Sequence, residues 1–330
     1  MRFLAVLFFL LCSTGALAER GKDEDRLGEV HDEWSDWVLD TANTIDTFFS
    51  NTQGNESQQK TRLRVFVRIR YDDNEGGKIS PGIRAKLSLP STENRLHLIL
   101  GDDEDEARLN DLADNQQNIS LQLRGKTETP LKKLDFSIGI RRRDDKYQPY
   151  GRVRHNKTFQ SANPWVPQLT NSVYYFTKSR LEYRGTANFN KVLGSHHFFR
   201  PSTVLRWYQN NSGQCDDGWC LDQYFSLYER LRRHKSEAIA YDAEIYLRNK
   251  PDPLIHDVVF KTRYRRMTNR KWLFWEMEPA IHFPAEYGHD ATFRLTFRIE
   301  GVFGYNTEVN INQNFMPATA PWENTLTTSN

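Results

Sequence analysis

The side chains with most chemistry to offer in this chain are charged, and many of them recur two residues apart. Arg68 and Arg70, Arg84 and Lys86, Asp242 and Glu244, and Glu276 and Glu278 form such pairs, joined by Arg124, Arg141, Arg294 and Arg298. A guanidinium presents a planar fork of donors that matches a carboxylate or a phosphate. Gathered on one surface, these groups offer either a network of internal salt bridges or a constriction of charge that sorts small solutes, anions first. The cations fall mainly in the first half of the chain and the acids mainly in the second. Other chemistry is thinly supplied. There is no Gly-rich phosphate loop, no H-E-x-x-H helix and no Ca²⁺ loop, so no cofactor or metal is called for. His196-His197 and His289-Asp290 are the best remaining acid–base candidates. Adjacent histidines on a strand point to opposite faces, which makes them a poor joint site.

A period of two implies strands, and the strands must position these charges. Thr61 to Tyr71 reads T-R-L-R-V-F-V-R-I-R-Y. Leu63, Val65, Val67, Ile69 and Tyr71 fall on one face and Arg62, Arg64, Phe66, Arg68 and Arg70 on the other. The pattern returns later: Phe293, Leu295, Phe297 and Ile299 oppose Arg294, Thr296, Arg298 and Glu300. Strands are expected over 61–72, 80–89, 94–102, 117–125, 131–142, 149–157, 167–177, 179–187, 196–209, 220–232, 236–248, 256–267, 270–283 and 291–303. Most have the length of a tilted strand crossing a bilayer, about 9–11 residues. Gly, Pro, Asn and Asp punctuate them. An even count of fourteen places the long connectors 103–116 and 210–219 at one end and tight ones near His234-Lys235-Ser236 and Thr268-Asn269-Arg270 at the other. That is the asymmetry of an outer-membrane barrel; twelve strands is the alternative. Glu229, in line with Phe225 and Leu227, marks an interface or a bulge. The expectation is a closed antiparallel transmembrane β-barrel over 61–304, with aromatics near strand ends (Tyr71, Trp207, Tyr208, Tyr264, Trp272, Phe303) as interfacial girdles. A β-sandwich or a small ligand barrel is the soluble alternative, with the apolar face turned inward.

The ends differ from this core. Arg2, the apolar run Phe3 to Leu11 and Ala16-Leu17-Ala18 read as a secretory signal over 1–18. The chain carries a formal net charge of +2 and, without Arg2, is close to neutral, so nucleic acid is not an expected partner. Cys215 and Cys220 remain in the exported chain and are expected to close a small local disulfide rather than half a metal site. In 19–60, Val30, Trp34, Trp37, Val38, Ile45, Phe48 and Phe49 recur at helical spacing among acids. The expectation is an amphipathic periplasmic helix over 28–50, packed at the barrel rim or in its mouth, or acting as a movable plug. A polar linker, 51–60, follows it, and a polar tail occupies 305–330.

With these residues in view, the chain resembles Gram-negative outer-membrane β-barrel proteins, and more narrowly an uncharacterised gammaproteobacterial set. The carriers are Arg62 to Asp72, Phe225 to Leu231 and Trp272 to Pro284, and the likeness runs over about residues 28–304. The resemblance implies fold and address, with outer-membrane lipid and the barrel assembly machinery as partners, but no reaction. The family pattern ends on an aromatic, whereas here Phe303-Gly304 is followed by the tail. Outer-membrane phospholipases carry a His-x-Ser-Asn-Gly type motif that is absent here, which disfavours a lipid- or lipopolysaccharide-modifying enzyme. A passive channel or structural envelope barrel is the leading expectation. A surface or assembly partner using acidic Asp102 to Asp114 as a docking or divalent-cation patch is a further one, against a plain solvated loop.

Overall fold

The alternation that starts at Arg62 continues around one sheet that closes on itself. The computed structural model describes residues 62–89, 96–101, 118–125, 134–143, 146–159, 165–194, 196–209, 218–231, 236–249, 254–270 and 272–304. The strands are β1 (Arg62–Asp72), β2 (Gly76–Leu89), β3 (Leu96–Leu100), β4 (Asn118–Arg124), β5 (Leu134–Arg143), β6 (Lys146–Thr158) and β7 (Val166–Phe176). They continue as β8 (Arg180–Leu193), β9 (His197–Tyr208), β10 (Trp219–Arg230), β11 (Glu237–Arg248), β12 (Leu254–Met267), β13 (Leu273–His282) and β14 (Thr292–Gly304). Each pairs with its sequence neighbours, and β1 pairs antiparallel with β14 to close the barrel. A closed sheet leaves no unpaired edge, as a hydrocarbon surround requires. Among the described residues the one helical turn is Ala285–Tyr287, ended by Gly288 in the left-handed region.

The count is fourteen, not the alternative twelve. The expected helix over 28–50, the signal, the tail and Cys215 lie outside the described residues. Cys220 is disulfide-bonded.

The orientation of the side chains decides between the membrane and soluble readings. On β1, Val65, Val67, Ile69 and Tyr71 are 40–54% exposed, while Arg64, next to Val65, is 8% exposed and Asp72, next to Tyr71, 1%. The same holds around the circumference: Ile79, Ile83, Ile138, Tyr175, Phe260, Ile281 and Ile299 face out, while Arg141, Arg200 and Arg265 are buried. A sandwich or soluble barrel would have the reverse. The apolar side chains are not packed together in a dry interior; they coat the cylinder.

Several local expectations are corrected. Glu229 sits in an unbroken register, opposite His197 on β9 and Ile239 on β11, so β10 has no bulge there. The register irregularity instead falls between Tyr246 and Leu247, against β12. Tyr208 does not belong to an outer girdle: it is buried on the inner face, because its neighbour Trp207 already takes the outward position. The two chain ends of the barrel emerge together at one rim, called here the near end. The long connectors, 101–117 and 209–218, both lie at the far end. That end also holds short turns, after β1, β5 and β7, while the turn after β8 at the near end is as short as two of them, so the separation of long from short connectors is only partial. The turn after β7 is made by placing Arg180 at φ 61.

Candidate functional site

The inner face of the barrel concentrates the charge of the chain, and its two halves are built differently. From β10 round through β14 to β1, acids and cations are interspersed and pair with one another. Asp222 on β10 pairs with Arg206 of β9 and accepts from Arg248 of β11 at 2.7 Å. Asp242 on β11 accepts from Arg263 Nε on β12 at 2.8 Å and from the Ser226 hydroxyl on β10. Glu244 lies 3.3 Å from Lys261 and accepts from the Tyr246 hydroxyl at 2.7 Å. Lys261 also lies 3.9 Å from Glu278.

Two clusters pin the seam where the sheet closes. Near the chain ends, Glu300 accepts from Arg64 of β1 at 2.9 Å and from Arg265 of β12 at 3.2 Å. Glu276 lies 3.3 Å from Arg265 and 3.7 Å from Arg298, which is itself 3.9 Å from Glu300. At the far end, Asp72 accepts from Arg294 Nε at 2.8 Å and from the backbone of Asn74 and Glu75 in the turn. The His282 ring bridges Asp72, 3.1 Å away, and Asp257, 3.3 Å away. Carboxylates here therefore tie β1 to β13 and β14. Pairing in a low-dielectric lumen is strong when the remaining lone pairs are also satisfied, and Asp72 meets this with Arg294, two backbone donors and the His282 ring.

The other wall, β2 to β9, is cationic. Its inner face carries Arg84, Lys86, Arg124, Arg141, Arg152, Arg154, Arg184, Arg200 and Arg206, against Asp135 and Glu182 as the acids among the described residues. Arg154 lies 3.2 Å from Asp135, and Arg184 3.6 Å from Glu182. Aromatic rings share the work. The Arg141 guanidinium lies 5.4 Å from the Tyr150 ring and 5.7 Å from that of Tyr174; Arg152 and Arg184 approach Tyr174 at 5.7 and 5.9 Å. Such contacts add to what holds a cation and are stronger where water is excluded. Between Arg124 and Arg141 runs a neutral polar strip: Asn118, Ser120 and Gln122 on β4, Ser137 on β5 and His97 on β3, all buried.

Of the residues expected from sequence, Asp242, Glu244, Glu276, Glu278, Arg294 and Arg298 enter the paired network. Lys86, Arg124 and Arg141 belong to the cationic wall. Arg84, Arg298 and Arg68 surround the Phe66 ring at 5.1, 5.2 and 5.9 Å, and Gly82 faces that ring so closely that a Cβ there would come within 2.2 Å of it. Arg70 turns to the rim and pairs with Glu75 at 3.0 Å. Sequence reasoning passed over Asp72, Asp257, Arg152, Arg154 and Arg184, although parity within β1, β6, β8 and β12 marks each as inward. The two histidine motifs do not meet. His197 faces outward near the chain ends, 4.0 Å from Glu229, while His289 sits in the far-end connector with its ring against the Phe283 carbonyl.

No protein-family model matches the chain, and no curated protein matches it. Solved structures with a similar shape include OprB of Pseudomonas putida, at 8% identity over 74% of this chain and 94% of that one, with a TM-score of 0.46. CdiB from Acinetobacter baumannii is 10% identical over 74% of this chain and 60% of that one, with a TM-score of 0.47. The anion-selective porin from Comamonas acidovorans is 9% identical over 74% of this chain and all of that one (100%), with a TM-score of 0.41. At these values the likeness is one of barrel architecture alone.

Proposed function

We propose that this chain is an outer-membrane β-barrel of the Gram-negative envelope whose lumen accepts small anions and passes them. The observation that carries the anion reading is the β2–β9 wall, where arginines outnumber the carboxylates of Asp135 and Glu182 among the described residues. A wall of one sign lowers the free energy of counter-ions beside it and raises that of co-ions, most strongly where water is sparse. The membrane reading is supported by the apolar outer belt, the closed ladder and the signal-like residues 1–18. Placement within an uncharacterised gammaproteobacterial set rests on the segments Arg62 to Asp72, Phe225 to Leu231 and Trp272 to Pro284.

The address is tested by SDS gel migration before and after boiling: a closed membrane barrel resists SDS until heated, so the two samples should run differently. The passage is tested by the reversal potential of the purified protein in a planar bilayer across a salt gradient. Conductance with the sign of anion preference is expected, and Arg141→Gln with Arg152→Gln should move the potential toward zero. Cation preference in the parent protein would overturn the reading.

A further inference from the structure

The outer surface of a membrane barrel should be apolar at mid-depth, because hydrocarbon offers no hydrogen-bond partners. One side of this barrel follows that rule: Leu295 and Ile299 on β14 and Val65, Val67 and Ile69 on β1 face outward. The opposite side, β6 to β10, does not. Strand parity turns His155, Asn171, Thr203 and Gln223 outward, and each is partly exposed. Register sets them in two adjoining rows. His155 faces Asn171, which faces Gly185; Ala187 faces Thr203, which faces Gln223. Aromatic and charged residues toward the strand ends fix the depth. Asn171 lies between Trp165 and Tyr175, Thr203 between Phe199 and Trp207, and Gln223 between Trp219 and Glu229. These three therefore sit mid-span rather than in a headgroup layer.

Contacts within the chain use part of this hydrogen-bonding capacity. The Tyr183 hydroxyl donates to Asn171 Oδ1 at 2.7 Å and the Thr203 hydroxyl to Gln223 Oε1 at 2.6 Å. Gln223 Nε2 donates to the carbonyl of Tyr224 at 3.2 Å. The Asn171 N–H groups and the His155 ring form no hydrogen bond among the described residues. The surface is also low in relief. The Tyr183 ring lies across Gly185, where a Cβ would come within 2.7 Å of its hydroxyl, and Ala187 follows on the same face. Small and polar residues together let two membrane-embedded surfaces approach closely and bond.

We infer that this face binds a second copy of the chain, about a twofold axis normal to the membrane that passes between β8 and β9. An acyl chain brings neither donors nor acceptors. A different protein would need a matching polar row at the same depth, whereas a second copy inserted in the same direction carries that row itself. The rotation brings β7 of one copy against β10 of the other, so Asn171 meets Gln223 in both directions, as an isologous contact requires. Both are amides, which donate and accept. Charge agrees at the near-end rim. Lys157 on β6 and Lys191 on β8 lie on one flank of this face and Glu229 on β10 on the other. The rotation turns the cationic flank of each copy toward the acidic flank of the other, which favours this orientation. The pairing rests on the membrane address proposed above and not on the passage of anions.

The test uses the full mature chain in the outer membrane of an expressing Gram-negative cell. Ala187→Cys and Thr203→Cys, the facing pair beside the axis, are oxidised separately with copper phenanthroline; Cys220 is already disulfide-bonded and does not compete. At least one of them should give a disulfide-linked band at twice the mass, and Val67→Cys, on the opposite side of the barrel, should give none. No dimer from either position, an equal yield from Val67→Cys, or linkage only to a different protein would overturn the inference. In a second arm, His155→Leu, Asn171→Leu and Gln223→Leu are combined in the chain that cross-links. These changes suit a lipid-facing surface, so the heat-dependent gel shift should persist. The dimer yield should fall about tenfold, the order expected when a few hydrogen bonds in lipid are lost. An unchanged yield would overturn the role of the polar rows. Should the triple variant lose its gel shift, Ala187→Trp in the Thr203→Cys chain takes its place: bulk beside the axis should abolish the dimer, and an unchanged yield would overturn the inference. Neither arm reads ion flow, so a silent bilayer would remove the passage and leave the pairing standing.

Discussion

The two walls of the lumen solve the same problem in opposite ways. From β10 to β1, most lumen carboxylates lie against a cation on a nearby strand, and several against two. From β2 to β9, guanidinium groups lie over tyrosine rings and beside neutral hydroxyls, with few acids among the described residues of that wall. The first wall pairs its charges from strand to strand. Its charges spend themselves on one another, so they fix strand register and the seam. On the second, cations outnumber acids among the described residues, and an excess of one sign is what a solute of the other sign can meet. The two walls therefore differ in their balance of charge rather than in residue type.

The sharpest way to break that contrast is to remove one carboxylate from the complete wall. Asp242→Ala strands Arg263, which is buried and bonded to it at 2.8 Å, and leaves the Ser226 hydroxyl without its acceptor. Losing one partner of a buried ion pair costs about 3–5 kcal/mol. The expected result is a marked drop in the temperature at which the folded gel band converts to the unfolded one. An unchanged conversion temperature would show that water reaches this pair freely.

A second test concerns shape rather than charge. The Phe66 ring lies where a side chain at Gly82 would be, with Arg84 and Arg298 on it at 5.1 and 5.2 Å. Gly82→Val must displace the ring and with it two guanidiniums at the junction of the two walls. Overpacking of this kind costs about 1–3 kcal/mol. Adding Phe66→Leu should return part of that loss, read by the same heat conversion; no rescue would mean the strain lies in the backbone.

The sequence made most of this architecture readable because a strand's period is two and both faces are chemically distinct. Parity alone tells which residues point inward, and it puts Arg68, Asp242 and Glu276 on the lumen side. It fails where polarity is misread as punctuation. Asn188 and Asn190 look like a turn after Ala187, yet β8 continues through them to Leu193. They point inward, where Asn188 meets Ser202, and Asn190 accepts from Arg200 Nε at 2.7 Å. Gly76-Gly77 misleads in the same way at the start of β2. Partnership was not readable at all. That Arg265 reaches Glu300 two strands away depends on the stagger of closure, which no single strand encodes. Likewise His282 was legible as inward but not as the bridge between Asp72 and Asp257.

The third test separates the walls directly. Arg141→Gln removes a buried cation that lies 5.4 Å from the Tyr150 ring and 5.7 Å from that of Tyr174. Exchange for a neutral amide gives up a cation–π contribution of about 2 kcal/mol at most, offset by relief of repulsion from the neighbouring arginines. Its effect on heat conversion should therefore be well below that of Asp242→Ala. A loss as large as that of Asp242→Ala would mean that the cationic wall is as self-contained as the paired one.

The smallest effect belongs outside the lumen. Glu229 lies on the outer face close to the near-end rim, with the Tyr241 hydroxyl donating to it at 3.3 Å and His197 4.0 Å away. All three are partly exposed. A carboxylate at that height has water and lipid headgroups within reach, so its pairs are screened in a way those of Asp242 are not. Exposed pairs are worth about 0–1 kcal/mol. Glu229→Gln keeps the shape and the hydrogen bond from Tyr241, so heat conversion should move by little. If it moved as far as Asp242→Ala, the position of Glu229 along the barrel would have to be deeper in hydrocarbon than its neighbours imply, and the rim at this end would lie beyond it.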